Sequence, residues 1–87
     1  PSGECVNSLI SDGCDIQGSI RNCILFRGVR VEKGAHVENS ILFKNTVVRS
    51  GASIRCVIAD KNVEFGPDVA MAGHAQYPLV VEKNTKL

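Results

Sequence analysis

Aliphatic residues recur along this chain in steps of six, six and five, and the pattern then repeats every seventeen residues. Three segments align at that spacing without a gap: NCILFRGVRVEKGAHVE (22–38), NSILFKNTVVRSGASIR (39–55) and CVIADKNVEFGPDVAMA (56–72). The aliphatic positions are Leu25, Val31, Val37, Leu42, Val48, Ile54, Ala59, Phe65 and Met71. A period too short for two helices and a loop indicates a solenoid, in which each coil buries a face against the next.

Each coil is predicted to contain three short strands. Small or β-branched residues follow most of the aliphatic positions by four residues: Val29, Ala35, Thr46, Ala52, Val63 and Val69. A strand that sends alternate side chains inward accounts for both sets, because successive side chains of a strand point to opposite faces. The predicted cross-section is a triangle with one corner shorter than the other two.

Glycine, asparagine and aspartate occupy the predicted corners, where the backbone needs a positive φ that these residues tolerate best. One corner column contains Gly13, Gly28, Asn45 and Asn62, and a second contains Gly34, Gly51 and Asp68. The third, short corner contains Asn7, Asn22, Asn39 and Cys56, which predicts a ladder of stacked amides. The agreement between columns favours an all-β fold, a triangular parallel β-helix.

The two ends of the chain fit this frame less regularly. The chain before Asn22 fits the repeat if it lacks two residues near Gln17 relative to the later coils. Its inward residues are then Ile10, Cys14, Ile16 and Ile20. Residues 73–87 are predicted to leave the repeat, with Leu79 to Val81 as a final strand that caps the open end. We therefore predict one domain, 1–87, with coils at about 6–21, 22–38, 39–55 and 56–72 and a cap at 73–87.

This hexad pattern is typical of the single-stranded left-handed β-helix, the hexapeptide-repeat architecture. The handedness follows from that resemblance alone, since parallel crossovers are in general right-handed.

Some apolar residues are left outside the predicted core. Leu9, Ile24, Ile41 and Ile58 form one outward column, and Phe26 and Phe43 point out on the same side. Isolated apolar residues on a surface need no explanation, but a column four coils high is typical of a partner surface. We predict a protein interface at these six residues.

The charged residues exclude some partners. Ten basic and nine acidic residues give a net charge of +1 without the basic stripe that nucleic acids require. No apolar run approaches the roughly 20 residues that span a bilayer, and there is no leader, so we expect a cytoplasmic protein. Two outward columns are interpreted as solvated faces, the first with a phosphate site as the alternative: Arg27, Lys44 and Lys61, and Arg21, Glu38 and Arg55.

Residues for catalysis or metal binding do not converge in this sequence. Cys5, Cys14, Cys23 and Cys56 form no CxxC pair, and we interpret them as structural. His36 and His74 are interpreted as surface residues, and the glycines mark corners rather than a phosphate loop. We therefore predict no catalytic residue, cofactor or metal ligand here. Acyltransferases with this fold add loops that hold coenzyme A, and γ-class carbonic anhydrases need three histidines; neither feature is present.

The run NSLISDGCDIQGSIRNCILFRGVRVEKGAHVENSILFKNTVV (7–48) resembles the C-terminal β-helix of bacterial glucose-1-phosphate adenylyltransferase, or ADP-glucose pyrophosphorylase. The segments VIADKNVEFGPD (57–68) and GHAQYPLVVEK (73–83) are most similar to the D-type regulatory subunit of that family. The resemblance implies glycogen biosynthesis. It also implies that the β-helix packs on an N-terminal nucleotidyltransferase domain and on sister subunits of a tetramer.

In that family the N-terminal domain converts ATP and glucose 1-phosphate to ADP-glucose and pyrophosphate with Mg²⁺. Its Gly-rich nucleotide motif has no match here and the chain opens at Pro1, so we expect a fragment without activity of its own. The activator lysines of relatives correspond by no motif to Lys44, Lys61 or Lys83. The alternatives are a hexapeptide acyltransferase, which would form a trimer and bind coenzyme A, and a purely structural β-helix module.

Overall fold

The structure is a computed structural model that describes residues 4–87, so residues 1–3 of the predicted domain lie outside it. Within that range, fourteen strands form three parallel sheets. The first sheet contains β1 (Glu4–Val6), β4 (Ser19–Arg21), β7 (His36–Glu38), β10 (Ser53–Arg55) and β13 (Ala70–Ala72). The second contains β2 (Leu9–Ile10), β5 (Ile24–Leu25), β8 (Ile41–Leu42), β11 (Val57–Ala59) and β14 (Leu79–Val81). The third contains β3 (Asp15–Ile16), β6 (Arg30–Val31), β9 (Val47–Val48) and β12 (Glu64–Phe65).

Up to β13, every third strand returns to the same sheet, so the chain is a three-sided parallel β-solenoid, as the repeat predicts. Ile54 pairs with Val37 on one side and Met71 on the other, and each step is seventeen residues. Ile20 aligns with Val37 at the same spacing, whereas Ile16 aligns with Val31 only fifteen residues away. The two-residue deletion therefore lies between Ile16 and Ile20, where the sequence predicts it. In residues 4–87 no helix is long and apolar enough to cross a membrane.

One apolar core runs the length of the stack. Its buried members include Ile20, Leu25, Val31, Val37, Leu42, Val48, Ile54, Ala59 and Phe65, all at predicted inward positions. Ile10 is 41% exposed although it aligns with buried Leu25, because it lies in the first coil. Two buried hydroxyls, those of Ser40 and Thr46, donate hydrogen bonds to backbone carbonyls, which offsets the cost of burying them.

The corners adopt the left-handed backbone conformation. The two columns predicted to need it have φ between 59° and 85°: Gly13, Gly28, Asn45 and Asn62, and Gly34, Gly51 and Asp68. The third corner does so as well, with φ of 51° at Asn7, 54° at Asn22, 51° at Asn39 and 55° at Cys56. One step of the predicted amide ladder is formed, where the Asn7 side chain donates to the Asn22 Oδ1 at 2.7 Å. Asparagine therefore serves this corner through its backbone as well as its side chain.

Gly18 lies at the corner between β3 and β4, where the first coil has two residues fewer than the later coils. The repeat pattern does not identify this role. A Cβ at Gly18 would lie 2.6 Å from the carbonyl oxygen of Glu32 and nearer still to that of Ala35. The amides of Gln17 and Ser19 hold this approach by donating to carbonyls of the next coil at 2.8 and 2.9 Å. A side chain at position 18 would therefore clash with the backbone of the next coil, which favours glycine where the two residues are deleted.

The C-terminal segment corrects the predicted boundary of the repeat. Strand β14 is present as predicted, but it pairs in register with β11, and Lys86 bridges to Glu64 of β12. Asn84 has a φ of 63°, and its amide donates to the Lys61 carbonyl at 3.0 Å, as a corner residue of a further coil would. The departure from the repeat is therefore confined to residues 73–78, and residues 79–87 form part of a fifth coil.

Candidate partner-binding face

The outward side chains of the second sheet form one continuous apolar column. The strand register aligns Leu9 with Ile24, Ile24 with Ile41, and Ile41 with Ile58, and it adds Val80 of β14. Leu9 is 70% exposed, Val80 66% and Ile24 40%, while Ile41 and Ile58 are half-buried. The sequence predicted the first four members. Val80 could have been found by aligning LVVEKNTKL with VIADKNVEF across a five-residue insertion.

Two stacked phenylalanines widen this column. The rings of Phe26 and Phe43 have centroids 4.7 Å apart and planes 7° apart, and Phe26 remains 41% exposed. Stacked aromatic pairs contribute about 0.5–1.5 kcal/mol beyond their buried area, so the pair is a fixed platform rather than two loose side chains. The same position is held by Ser11 in the coil before and by Asp60 in the coil after. The backbone amides of these residues and of the two phenylalanines all donate to equivalent carbonyls of the next coil. The aromatic platform is therefore confined to the second and third coils.

A row of cations borders the platform. The amides of Asn45, Asn62 and Asn84 donate to the carbonyls of Arg27, Lys44 and Lys61 at 3.0, 2.9 and 3.0 Å. The three cations therefore lie in successive layers, and Lys83, which directly precedes Asn84, extends the row. Asp60 and Glu82 directly precede Lys61 and Lys83, whereas phenylalanines precede Arg27 and Lys44. Asp12 holds the position of Arg27 in the first coil, since the Gly28 amide donates to the Asp12 carbonyl at 3.4 Å. Lys44 is therefore the cation of this row with no carboxylate directly before it in the sequence and none in an adjacent layer of the row.

The third sheet presents an ionic face instead. Arg49 contacts Glu32 at 2.8 Å and Glu64 at 3.3 Å, so one guanidinium links carboxylates in the coils before and after it. The hydrogen bond from Arg49, with a further one from the Ser50 amide, lowers the pKa of the Glu32 carboxyl. Pairs this exposed are worth little individually, and we interpret the ladder as a solvated face.

Replacing Glu32 with glutamine is expected to produce a loss of stability that depends on pH. The pKa of Glu32 is lowered from its usual value of 4.5. Its contribution to stability is therefore fully present above about pH 4.5 and is lost as the pH falls through the lower pKa of the folded state. Urea unfolding of both proteins from about pH 7 to about pH 3 should show a constant difference that closes at the acid end. In an Arg49→Gln background the pH-dependent part of the difference should shrink, with the remainder due to the Ser50 amide; a difference that persists at the lowest pH contradicts this account.

The first sheet carries the remaining predicted polar column. Its register aligns Arg21 with Glu38 and Glu38 with Arg55, and it places exposed His36 between Ser19 and Ser53. The second histidine, His74, lies in the 73–78 segment, so the structure does not bring the two together.

The cysteines and the metal-binding residue types can be placed directly. Cys23 is buried, and burial raises the pKa of its thiol, as expected for a core filler. Cys14 is partly buried against the same core, Cys56 is buried at a corner, and Cys5 is exposed. Across residues 4–87, no three side chains of histidine, cysteine, aspartate or glutamate are grouped as metal ligands would be.

Comparison with known proteins gives one family and several relatives. A family profile described as "GlmU-like, C-terminal hexapeptide" matches residues 1–76. The chain is 58% identical over 77 residues to "Glycogen biosynthesis protein GlgD" of Bacillus subtilis (strain 168), covering 88% of this chain and 22% of that protein. GlgD of Geobacillus stearothermophilus is 46% identical over 83 residues, or 95% of this chain and 24% of its own length. "Glucose-1-phosphate adenylyltransferase" of Acetivibrio thermocellus is 38% identical over 72 residues, or 82% and 17%. The chain thus spans less than a quarter of the length of these relatives.

Proposed function

We propose, from the premise that this chain belongs to the family of GlmU-like C-terminal hexapeptide domains, that it is the assembly and regulatory domain of a glycogen-biosynthesis protein. The similarity to GlgD and to glucose-1-phosphate adenylyltransferase supports the process. The longer protein would act in the cytoplasm as a glucose-1-phosphate adenylyltransferase or its regulatory subunit. ATP and Mg²⁺ would bind outside this chain, in a nucleotidyltransferase domain that precedes it.

The observation that carries the proposal is the exposed apolar column on the second sheet. A β-solenoid needs its inward residues for stability, and the outward residues are free to be polar, as most of them are on the third sheet. Here Leu9, Ile24 and Val80 expose between 40% and 70% of their surface in one line. A contiguous apolar surface on a small domain marks an interaction site, because leaving it in water costs free energy that docking recovers. The occupant we propose is the nucleotidyltransferase domain, with sister subunits of a tetramer completing the contact.

Replacing Ile24 and Ile41 with aspartate in the intact subunit is expected to abolish assembly. An aspartate in a closed interface must either lose its hydration or take up a proton, and both cost several kcal/mol. Light scattering should then report a lower mass than that of the wild-type assembly. Val47→Asp is the matched control, because Val47 holds the same outward position in β9 of the third sheet that Ile41 holds in β8. Assembly of the double variant at wild-type mass would remove the proposal.

Coverage of the face can also be measured directly in the intact protein. Hydroxyl-radical footprinting reports the solvent exposure of individual side chains, and Phe26 and Leu9 are well exposed in this domain. Both should be protected in the assembly, while Tyr77, which is 80% exposed on the 73–78 segment, is the internal reference. Equal modification of Phe26 and Leu9 in the assembly and in the Ile24→Asp, Ile41→Asp variant would show that the face remains open.

A further inference from the structure

The segment 73–78 is a hydrogen-bonded turn at one border of the apolar column. The amides of Gly73 and Leu79 donate to carbonyls of the preceding coil at 2.8 and 3.0 Å, which fixes both ends of the turn. Between them, His74 and Tyr77 exchange two backbone hydrogen bonds of 3.2 and 2.9 Å. A Cβ at Gly73 would lie 2.5 Å from the Leu79 nitrogen, so the two ends are also closely packed. The turn is therefore anchored to the preceding coil at both ends and closed by its own hydrogen bonds.

A small cavity lies between this turn and the column. Its lining residues are Asn39, Ile41, Cys56, Ile58, Ala75 and Pro78, and its volume is about 190 Å³. This is smaller than the roughly 300–1,000 Å³ of small-molecule sites, but it is large enough for a single side chain. Most of the lining is apolar, which favours an aliphatic or aromatic side chain.

The far border of the same face favours a negative charge. Arg27 and Lys44 flank the aromatic platform there, and Phe26 and Phe43 precede them in the sequence. The next two cations of the row directly follow Asp60 and Glu82, and Asp12 lies next to Arg27 in the row. A segment that crosses the column from the cavity at Ile41 thus meets the positive charge of Lys44, which lies in the same coil.

We propose that the cavity receives one branched aliphatic or aromatic side chain of the docking partner, and that a carboxylate of the same partner segment faces Lys44. The inference rests on the proposed docking function and deepens it, because it names the chemistry of the docked segment. A preformed pocket lowers the ordering cost of association, and interface hot spots are anchors in such pockets. The charged border contributes specificity and association rate.

Filling the cavity tests the anchor. Ala75→Phe in the intact subunit should raise the concentration at which the assembly half-dissociates by about tenfold or more, a loss of about 1.4 kcal/mol, because the new ring takes the anchor's place. Ala70→Phe adds the same ring to the exposed face of the first sheet and should leave that concentration unchanged. Thermal unfolding followed by circular dichroism should show both variants folded.

The outcomes separate this inference from the proposed function. If Ala75→Phe assembles normally while the Ile24→Asp, Ile41→Asp variant does not, the face is the docking site and the anchor is wrong. If neither variant changes the assembly, the anchor and the docking function are both wrong. Loss of assembly in Ala75→Phe with protection of Phe26 reduced in footprinting supports both.

Reversing the charge of single lysines tests for the carboxylate of the partner segment. Lys44→Glu should weaken assembly several-fold at low salt, and the effect should shrink as salt is raised. Lys61→Glu, beside the carboxylate of Asp60, is the matched control and should have a smaller effect. Equal effects of the two reversals, or an effect independent of salt, would overturn the acidic part of the inference.

Discussion

Replacing Phe65 with alanine is expected to destabilise the domain by about 3–5 kcal/mol. Phe65 is 0% exposed and is the largest of the fully buried side chains among the described residues. It lies between Val48 of the preceding coil and the C-terminal segment that bridges to β12 at Lys86. Removing its ring leaves a cavity that a stacked β-solenoid closes poorly, because hydrogen bonds between coils fix the spacing of the layers.

The loss is a large share of what a small domain has, since folded proteins are stable by only about 5–15 kcal/mol. At about 4–8 °C per kcal/mol for a domain of this size, the unfolding midpoint should fall by more than about 10 °C. Chemical denaturation with an unchanged m-value would confirm that the loss arises in the folded state.

Phe43→Ala is the matched control for Phe65→Ala. It removes the same atoms from a half-buried outward position and gives up the stack with Phe26, which is worth about 1 kcal/mol. A loss at Phe43 as large as that at Phe65 would mean that the outward platform belongs to the core of the fold. In that case its exposure could not be taken as a sign of docking.

Replacing Gly18 with alanine is expected to cost roughly 3 kcal/mol or more, at the upper end of what overpacking causes. The added methyl group would lie 2.6 Å from the Glu32 carbonyl oxygen and closer to that of Ala35. Both obstacles are backbone atoms of the next coil, so they cannot rotate away as a flexible side chain would. Relief requires lengthening the bond from Ser19 to the Ala35 carbonyl, which is 2.9 Å long.

Gly13→Asn separates this clash from the general cost of replacing a glycine. Gly13 has a φ of 76°, and the nearest atom to a Cβ there is 3.8 Å away. Asn45 and Asn62 hold the same corner in later coils. Denaturant unfolding should place the Gly13→Asn change within about 0.5 kcal/mol of wild type. A Gly18→Ala protein as stable as Gly13→Asn would show that the first corner can expand, and that glycine is not required there.

Most of the fold could be predicted because a solenoid repeats one local rule. Period, inward positions and corner residues are each set by neighbours within a single coil, so Leu25, Leu42 and Ala59 reveal one buried column without knowledge of the rest. The two-residue deletion near Gln17 could be found for the same reason, since Ile16 and Ile20 are still inward on either side of it. The positive φ at Cys56 was not predicted, because stacking of amide side chains was the only feature expected of its corner column.

The C-terminal end was predicted less well, and the reason is the size of the insertion. Residues 73–78 place five extra residues at one corner, since β14 pairs with β11 at 22 residues and not at 17. An alignment at fixed spacing stops there, and it loses Val80 from the apolar column and Lys83 from the cation row. The register is recovered when LVVEKNTKL is aligned with VIADKNVEF across the insertion, and the pairing of β14 with β11 confirms that alignment.

The sequence by itself determined which residues face inward, which turn the corners and which apolar residues remain outside, because alternation along a strand and tolerance of positive φ are local properties. Tertiary structure alone decided that the 73–78 segment folds back beside the apolar column and that Ala75 and Pro78 enclose a cavity beside Ile41 and Ile58. These features depend on how far apart two coils lie and where an insertion folds back. Both are set by hydrogen bonds between residues distant in the chain, on which local patterns carry no information.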